Sequence, residues 1–321
     1  MTKNLRIGVM GCANIAKNLV IPAMLQVENL ELVAIASRTM EKAKSFTNQF
    51  GGEPIESYEE LVDRSDIDMI YMPLPTGLHE EWVHNCLDAG KHLLVEKSLA
   101  LDLPSAQRMV AKAREKGLVM MENFMFRYHS QHQFVFKLIN DGELGDIRCI
   151  RASFGFPPIA EDNFRYDPDM GGGALLDAGA YMAKLSHWFL GDSTQVKAAN
   201  LHLDSDGKVD IHGTAYLSND SGFSAEVAWG FDNFYQCNYE IWGSKGKVTL
   251  TRALTPRPEF NPIAIVEKQG ETKEHSLDCD DHFKNIITEC CRAIRENDGE
   301  QHLKEVLIQA GLLSQIKQLG A

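Results

Sequence analysis

Through the first 122 residues, short apolar runs alternate with helical patterns of about 10–15 residues. That alternation admits little besides a doubly wound parallel sheet with helices on both faces. The strands read as Leu5–Met10, Glu31–Ser37, Met69–Met72, His92–Val95 and Leu118–Glu122. Leu93, Leu94 and Val95 are wholly apolar, as a strand buried on both faces must be. Helices are predicted from the first glycine turn to about Leu25, then over Met40–Phe50, His79–Ala89 and Leu103–Lys116. Asp102 and Gly117 cap the last of these, and Ser57-Tyr58-Glu59-Glu60 is a capping box that opens another helix.

In open parallel sheets, ligands collect beyond the carboxyl ends of the strands. After the first strand stands Gly11-Cys12-Ala13-Asn14-Ile15-Ala16, where a glycine turn and a helix N-terminus make an anion site. Gly11 and Ala16 fit the dinucleotide fingerprint, while Ala13 replaces its middle glycine and restricts approach to a pyrophosphate. The same residues also serve as a plain strand-to-helix turn. The second strand ends in Ser37-Arg38, with no acid at its tip to hold a ribose 2′-hydroxyl. A hydroxyl and an arginine favour NADP(H) over NAD(H); otherwise Arg38 is a solvated surface residue. Pro73, Leu74, Thr76 and His79 follow the third strand and are read as cofactor-side positions, although a histidine there more often packs a helix start. Glu96 and Lys97 appear where the strand His92–Val95 ends. An isolated Glu-Lys is usually a solvated salt bridge, but an ammonium in this crevice can also polarise a substrate oxygen. Asn123 begins the exit from the sheet.

With 321 residues, two domains are expected, divided at 123/124. The net charge of −13 disfavours nucleic acid or an anionic membrane as partner. Seven scattered cysteines without a Cys-x-x-Cys pair fit reduced core thiols, with neither zinc nor a disulfide framework. Met1 to Asn4 run straight into a strand without a signal-peptide core, and no apolar run spans a membrane, so a cytoplasmic protein is expected. Past a linking helix, Ser130–Asn140, strand candidates follow one another with few helices: Ile147–Phe156, Gln195–Leu203, Ile211–Leu217, Phe223–Trp229, Gln236–Trp242, Lys247–Thr251 and Ile263–Lys268. They predict a large, open, mostly antiparallel sheet whose outer face carries Tyr216, Trp229, Tyr239 and Trp242 and pairs two copies of the chain. Dimer and tetramer both remain open. Two helices, Asp281–Glu296 and Lys304–Leu319, close the chain and pack back. Gly171-Gly172-Gly173 leads a further helix bearing Asp177 and Tyr181, four apart and so on one face. A half-buried tyrosine with an acidic neighbour explains that pair equally well.

Taken in order, the Gly11–Ala16 turn, Ser37-Arg38, Glu96-Lys97, Met121–Phe126 and Gly171–Tyr181 resemble the glucose–fructose oxidoreductase / inositol dehydrogenase / MocA family along the whole chain. The resemblance implies a Rossmann domain, a second α/β domain that dimerises through its sheet, and a nicotinamide cofactor held by the glycine turn and the Glu96-Lys97 segment. Tyr181, with Met121–Phe126 and Ser130-Gln131-His132, is most similar to sugar 3-ketoreductases of nucleotide-linked deoxysugar biosynthesis. NADP-dependent aldose dehydrogenases and dihydrodiol dehydrogenases are the alternative, and a non-catalytic NADP-binding regulator is a third. On this reading Tyr181 is the general acid, Lys97 hydrogen-bonds the reacting oxygen, Asp177 orients the pair or binds a sugar hydroxyl, and Arg165 contacts a phosphate or the cofactor. Ser98 departs from the family's usual proline and is expected to loosen the backbone behind Lys97.

Overall fold

The computed structural model describes residues 4–320; Met1, Thr2 and Lys3, which the sequence reading runs straight into the first strand, lie outside them, as does Ala321. The chain forms two compact units, Met1–Met125 with Phe283–Leu307, and Phe126–His282 with Ile308–Ala321. The stretch Phe283–Leu307, assigned from sequence to the second domain, therefore belongs with the first. Polar contacts hold it there: Arg295 donates to the Asn29 carbonyl at 2.9 Å, and Arg114 forms a two-pronged ion pair with Glu300.

The first unit is built on β1 (Leu5–Met10), β2 (Leu30–Ala36), β3 (Glu53–Ile55), β4 (Met69–Met72), β5 (His92–Val95) and β6 (Met120–Glu122). All pair in parallel, in the order β3-β2-β1-β4-β5-β6. The strands at the centre are the apolar ones: every residue of β4 and Leu93–Val95 of β5 is fully buried, as helices on both faces require. Chain order reverses between β1 and β4, which opens a crevice at their carboxyl ends. The three-residue β3 carries too little pattern to have been read from sequence.

The second unit holds β7 (Ile147–Gly155), β8 (Gln195–Leu203), β9 (Asp210–Ser218), β10 (Ser224–Gly230), β11 (Gln236–Gly243), β12 (Gly246–Leu250), β13 (Ile263–Lys268) and β14 (Glu271–Ser276). Their order is β14-β13-β12-β11-β7-β10-β9-β8, antiparallel except for β7 beside β10. Asn219 turns β9 into β10 by accepting the Ser221 and Phe223 amides at 3.1 and 3.0 Å. The edge strand β14, Glu-Thr-Lys-Glu-His-Ser, escapes a hydrophobic reading because its polarity guards an unpaired edge.

One expectation for this sheet is corrected. Tyr216 and Trp242 are exposed on the outer face, but Trp229 and Tyr239 are buried. Tyr239 and Trp242 stand three apart on one strand, so alternation sends them to opposite faces. Trp229 likewise stands three beyond Glu226, which is on the outer face beside Arg151. That face carries an ion-pair ladder from Glu226 through Arg151, Glu240 and Lys247 to Glu267.

Candidate active site

In the first unit the crevice residues are set by backbone geometry. Gly11 adopts φ +118°, and a Cβ there would lie 3.0 Å from the Leu74 side chain, so only glycine leaves this turn open. Its N–H donates to the Ala36 carbonyl at 2.9 Å, fixing the turn to the end of β2. Cys12, Ala13 and Ile15 are half-buried and Asn14 is exposed at the helix start. Burial pushes the Cys12 thiol up, with Ser37 drawing it back. Ser37 is buried and Arg38 exposed just past β2. Tyr58 was not singled out from sequence, yet its hydroxyl lies 3.7 Å from the Cβ position of Gly11. Arg38 favours its phenolate against the upward push of burial.

At the ends of β4, β5 and β6 a polar knot forms. The Glu96 carboxylate accepts from the Tyr71 hydroxyl at 2.7 Å and from the Asn123 amide at 2.6 Å, both on Oε1. Burial pushes its carboxyl up, opposed by these two donors and by Lys97. Tyr71 was missed from sequence, although a polar group inside the apolar run Met-Ile-Tyr-Met was the available signal. Lys97 is half-buried beside this knot.

His79, read from sequence as a cofactor-side position or a histidine packing a helix start, is a buried packing residue. Fully buried, it turns Nε2 to the Leu74 carbonyl at 2.8 Å and Nδ1 to the carbonyls of Ser98 and Leu99 at 3.1 and 3.2 Å. Burial keeps the ring neutral, so its single N–H donates to one of these carbonyls, and the buried imidazole packs the loop after β4 against the Ser98–Leu99 backbone. It also answers the departure at Ser98. Where a proline ring is absent, His79 holds this backbone from one side, and the Leu99 amide donates to Glu122 at 2.8 Å from the other.

The crevice fits a dinucleotide on two observations. The Gly11 turn leaves room where any side chain would collide with Leu74. In addition, Asn123 Oδ1 is buried without a hydrogen-bond partner among the described residues, an acceptor suited to an amide N–H of a bound group. Pro73, Leu74 and Thr76 are buried at the end of β4 and line this end of the sheet.

In the second unit, the glycine run Gly171–Gly173 leads into a wide i→i+5 turn, Leu175–Gly179, and then a regular helix, Ala180–Leu190. Because the first turn is wide, the four-residue spacing of Asp177 and Tyr181 does not by itself put them on one face. Asp177 is held by Arg165, whose Nε and Nη2 donate at 2.6 and 3.3 Å. Arg165 thus stands on Asp177, with its guanidinium 4.8 Å from the centre of the Phe164 ring. Tyr181 is 6% exposed, packed edge-on against Phe154 at 5.1 Å and tilted against Phe126 at 5.8 Å.

Comparison with known proteins matches both halves of the chain. A model described as the GFO/IDH/MocA oxidoreductase family, with an NAD-binding Rossmann fold, covers residues 5–124, and one for the GFO/IDH/MocA C-terminal domain covers 132–249. The dTDP-3,4-didehydro-2,6-dideoxy-α-D-glucose 3-reductase of Actinomadura kijaniata is 40% identical over 98% of this chain and 95% of its own length. That of Saccharopolyspora spinosa is 39% identical over 93% and 90%. Among solved structures, KijD10, a 3-ketoreductase from Actinomadura kijaniata in complex with NADP and TDP-benzene, superposes with a TM-score of 0.95 at 39% identity, covering 99% of this chain and 98% of that one. Variants of KijD10 have also been solved with one tyrosine replaced by phenylalanine, or one lysine by alanine or glutamate.

Proposed function

This chain belongs to the GFO/IDH/MocA oxidoreductase family, and from that premise we propose that it is an NADPH-dependent 3-ketoreductase of a dTDP-linked 3-keto-deoxysugar. One observation carries the reading beyond overall similarity. The lysine and tyrosine substituted in KijD10 stand 84 positions apart, and Lys97 and Tyr181 are separated by the same 84 positions, 97 to 181.

When bound, the reduced nicotinamide supplies a hydride to the ketone carbon. Lys97 hydrogen-bonds the ketone oxygen and stabilises the negative charge that develops there. Tyr181 passes its hydroxyl proton to the same oxygen, completing the alcohol. Asp177, oriented by Arg165, offers its carboxylate to a sugar hydroxyl. Asn123 and Glu96 hold the amide end of the cofactor, and Gly11 to Ile15 its pyrophosphate. The test is a panel of dTDP-linked and free 3-keto sugars followed by NADPH absorbance. Turnover confined to free sugars would overturn the proposal.

Ser37 and Arg38 set the cofactor preference through the 2′-phosphate. Arg38→Ala is expected to raise the KM for NADPH by about tenfold or more, the scale of a charge-assisted hydrogen bond, and to leave that for NADH unchanged. Equal effects on both cofactors would remove Arg38 from this role.

The exposed outer face of the second sheet is, on this reading, where two copies pair. Tyr216 and Trp242 supply apolar area, and the Arg151 guanidinium lies 5.2 Å over the Trp242 ring. Introducing a charge there by Tyr216→Glu should shift the protein to monomer in analytical ultracentrifugation. An unchanged sedimentation coefficient would place the pairing surface elsewhere. Among the described residues no helix is long and apolar enough to cross a membrane, and a cytoplasmic setting goes with a soluble sugar-nucleotide substrate.

A further inference from the structure

A helix begins with amide groups that its own turns cannot satisfy, and a side chain at the N-cap usually meets one of them. The segment that carries Asp177 and Tyr181 starts at Ala174, whose methyl can accept nothing, after three glycines that have no side chains at all. A residue remote in sequence takes over. Asp210, the first residue of β9, accepts the Leu175 N–H on Oδ2 at 2.7 Å.

We propose that Asp210 is a positioning residue for the reaction: its carboxylate holds the start of the helical segment that carries Asp177 and Tyr181. The surroundings are shaped for this interaction. Gly173 has φ +108°, and a Cβ there would stand 2.3 Å from Asp210 Oδ1, so only glycine lets the carboxylate reach the helix start. Behind it, the Trp229 indole fills the space between the segment and β9. A Cβ on Gly179 would approach that ring to 2.9 Å, and one on Gly213 to 2.6 Å. The segment is therefore clamped at its first amide by Asp210 and backed at Gly179 by Trp229.

The ionised carboxylate is the better partner for a helix N-terminus. Burial pushes the Asp210 carboxyl up to about 6, against the Leu175 amide, the Trp229 indole and Lys317 of the C-terminal helix Glu300–Gly320, all of which favour ionisation. Charged or titratable groups nearby are Asp204, Asp206 and Lys208 in the preceding turn, His212, which stacks on His202 across β8 and β9, and Asp177 on the capped segment, paired with Arg165, whose carbonyl accepts the Gly173 N–H. Below about pH 6 the clamp is protonated and weakened.

The inference rests on Tyr181 being the proton donor, and its test separates the two. In Asp210→Asn, kcat at pH 8 should fall about tenfold, the scale of one charge–dipole interaction withdrawn from the transition state, with the KM for NADPH unchanged. The wild-type enzyme should lose kcat as pH drops through about 6, and the Asn variant should be flat there. Hydrogen exchange, measured without substrate, should be faster over residues 173–181 in Asp210→Ala. Wild-type kcat with a retained acid limb in the Asn variant would overturn the proposal, and so would unchanged exchange in the Ala variant. If the Ala variant does not fold, the Asn variant decides. Absence of turnover in the wild-type enzyme would instead count against the ketoreductase reading, leaving the exchange result to judge Asp210.

Discussion

Tyr181→Phe will lower kcat by about 10²–10⁴-fold, the range a general acid contributes, while NADPH binding and stability stay close to wild type. The expectation follows from where the ring sits. At 6% exposure it packs against Phe154 and Phe126, and phenylalanine keeps both neighbours while removing only the hydroxyl. Lys97→Met, which preserves the length of the side chain and deletes its charge, should cost a similar factor by withdrawing the hydrogen bond to the reacting oxygen. Single-turnover loss of NADPH absorbance reads the chemical step, and quenching of protein fluorescence by the cofactor reads binding separately. Turnover within a few-fold of wild type in the Phe variant would end the assignment of Tyr181 as acid. A loss traceable entirely to weaker cofactor binding would do the same for Lys97.

What the sequence could and could not reveal divides along the range of the interactions. Leu93–Val95 and Met69–Met72 announce buried strands because local periodicity and burial are the same fact there. Gly11 reveals its turn because few residues tolerate its φ. Periodicity also carries information that a roll of aromatic residues discards: counting Tyr239 and Trp242 together ignored that an odd spacing sends them to opposite faces. Other features were beyond reach. Nothing near His79 shows that its ring will meet the carbonyls of Leu74, Ser98 and Leu99, because two of those lie about twenty residues downstream. Nothing in the glycine run indicates that its missing cap arrives from Asp210. The wide turn at Leu175–Gly179 ends where Gly179 lies against the Trp229 ring, a contact with a residue fifty positions away that local pattern does not reveal. Arg165 reads in sequence as a phosphate or cofactor contact because its charge is visible there, while its ion pair with Asp177 is not.

Acidification is expected to destabilise the protein before most of its carboxylates titrate. His129, His132 and His282 are buried together, with His129 edge-on to His282 at 5.7 Å and His132 stacked on Tyr239. His129 Nδ1 accepts the Gln131 amide at 3.1 Å, which requires a neutral ring. Burial pushes His132 and His282 down to about 3, and each is further opposed by His129. His129 is lowered too, chiefly by burial, against the pull of Asp280 and Asp281. The unfolded chain takes up these protons near pH 6.5. Between about 6.5 and 3 it therefore binds more protons than the folded protein, and stability falls as pH falls. At pH 5 His132 and His282 each cost about 2 kcal/mol relative to pH 7, about 4 kcal/mol for the two. Two carboxyls act in the opposite sense. Asp210, raised to about 6, and Glu96, also raised by burial, take up protons in the folded state and offset part of that loss. Comparison with His132→Phe isolates the histidine contribution, because phenylalanine preserves the aromatic packing against Tyr239, Phe126 and Trp188. Its constant cost, the missing bond to the Tyr239 hydroxyl, cancels from a difference between two pH values. Urea unfolding at pH 7 and pH 5 should show the variant losing about 2 kcal/mol less than wild type over that interval. Equal losses in the two proteins would mean that His132 is already charged in the fold or shares its proton with solvent, and the buried neutral cluster would have to be abandoned.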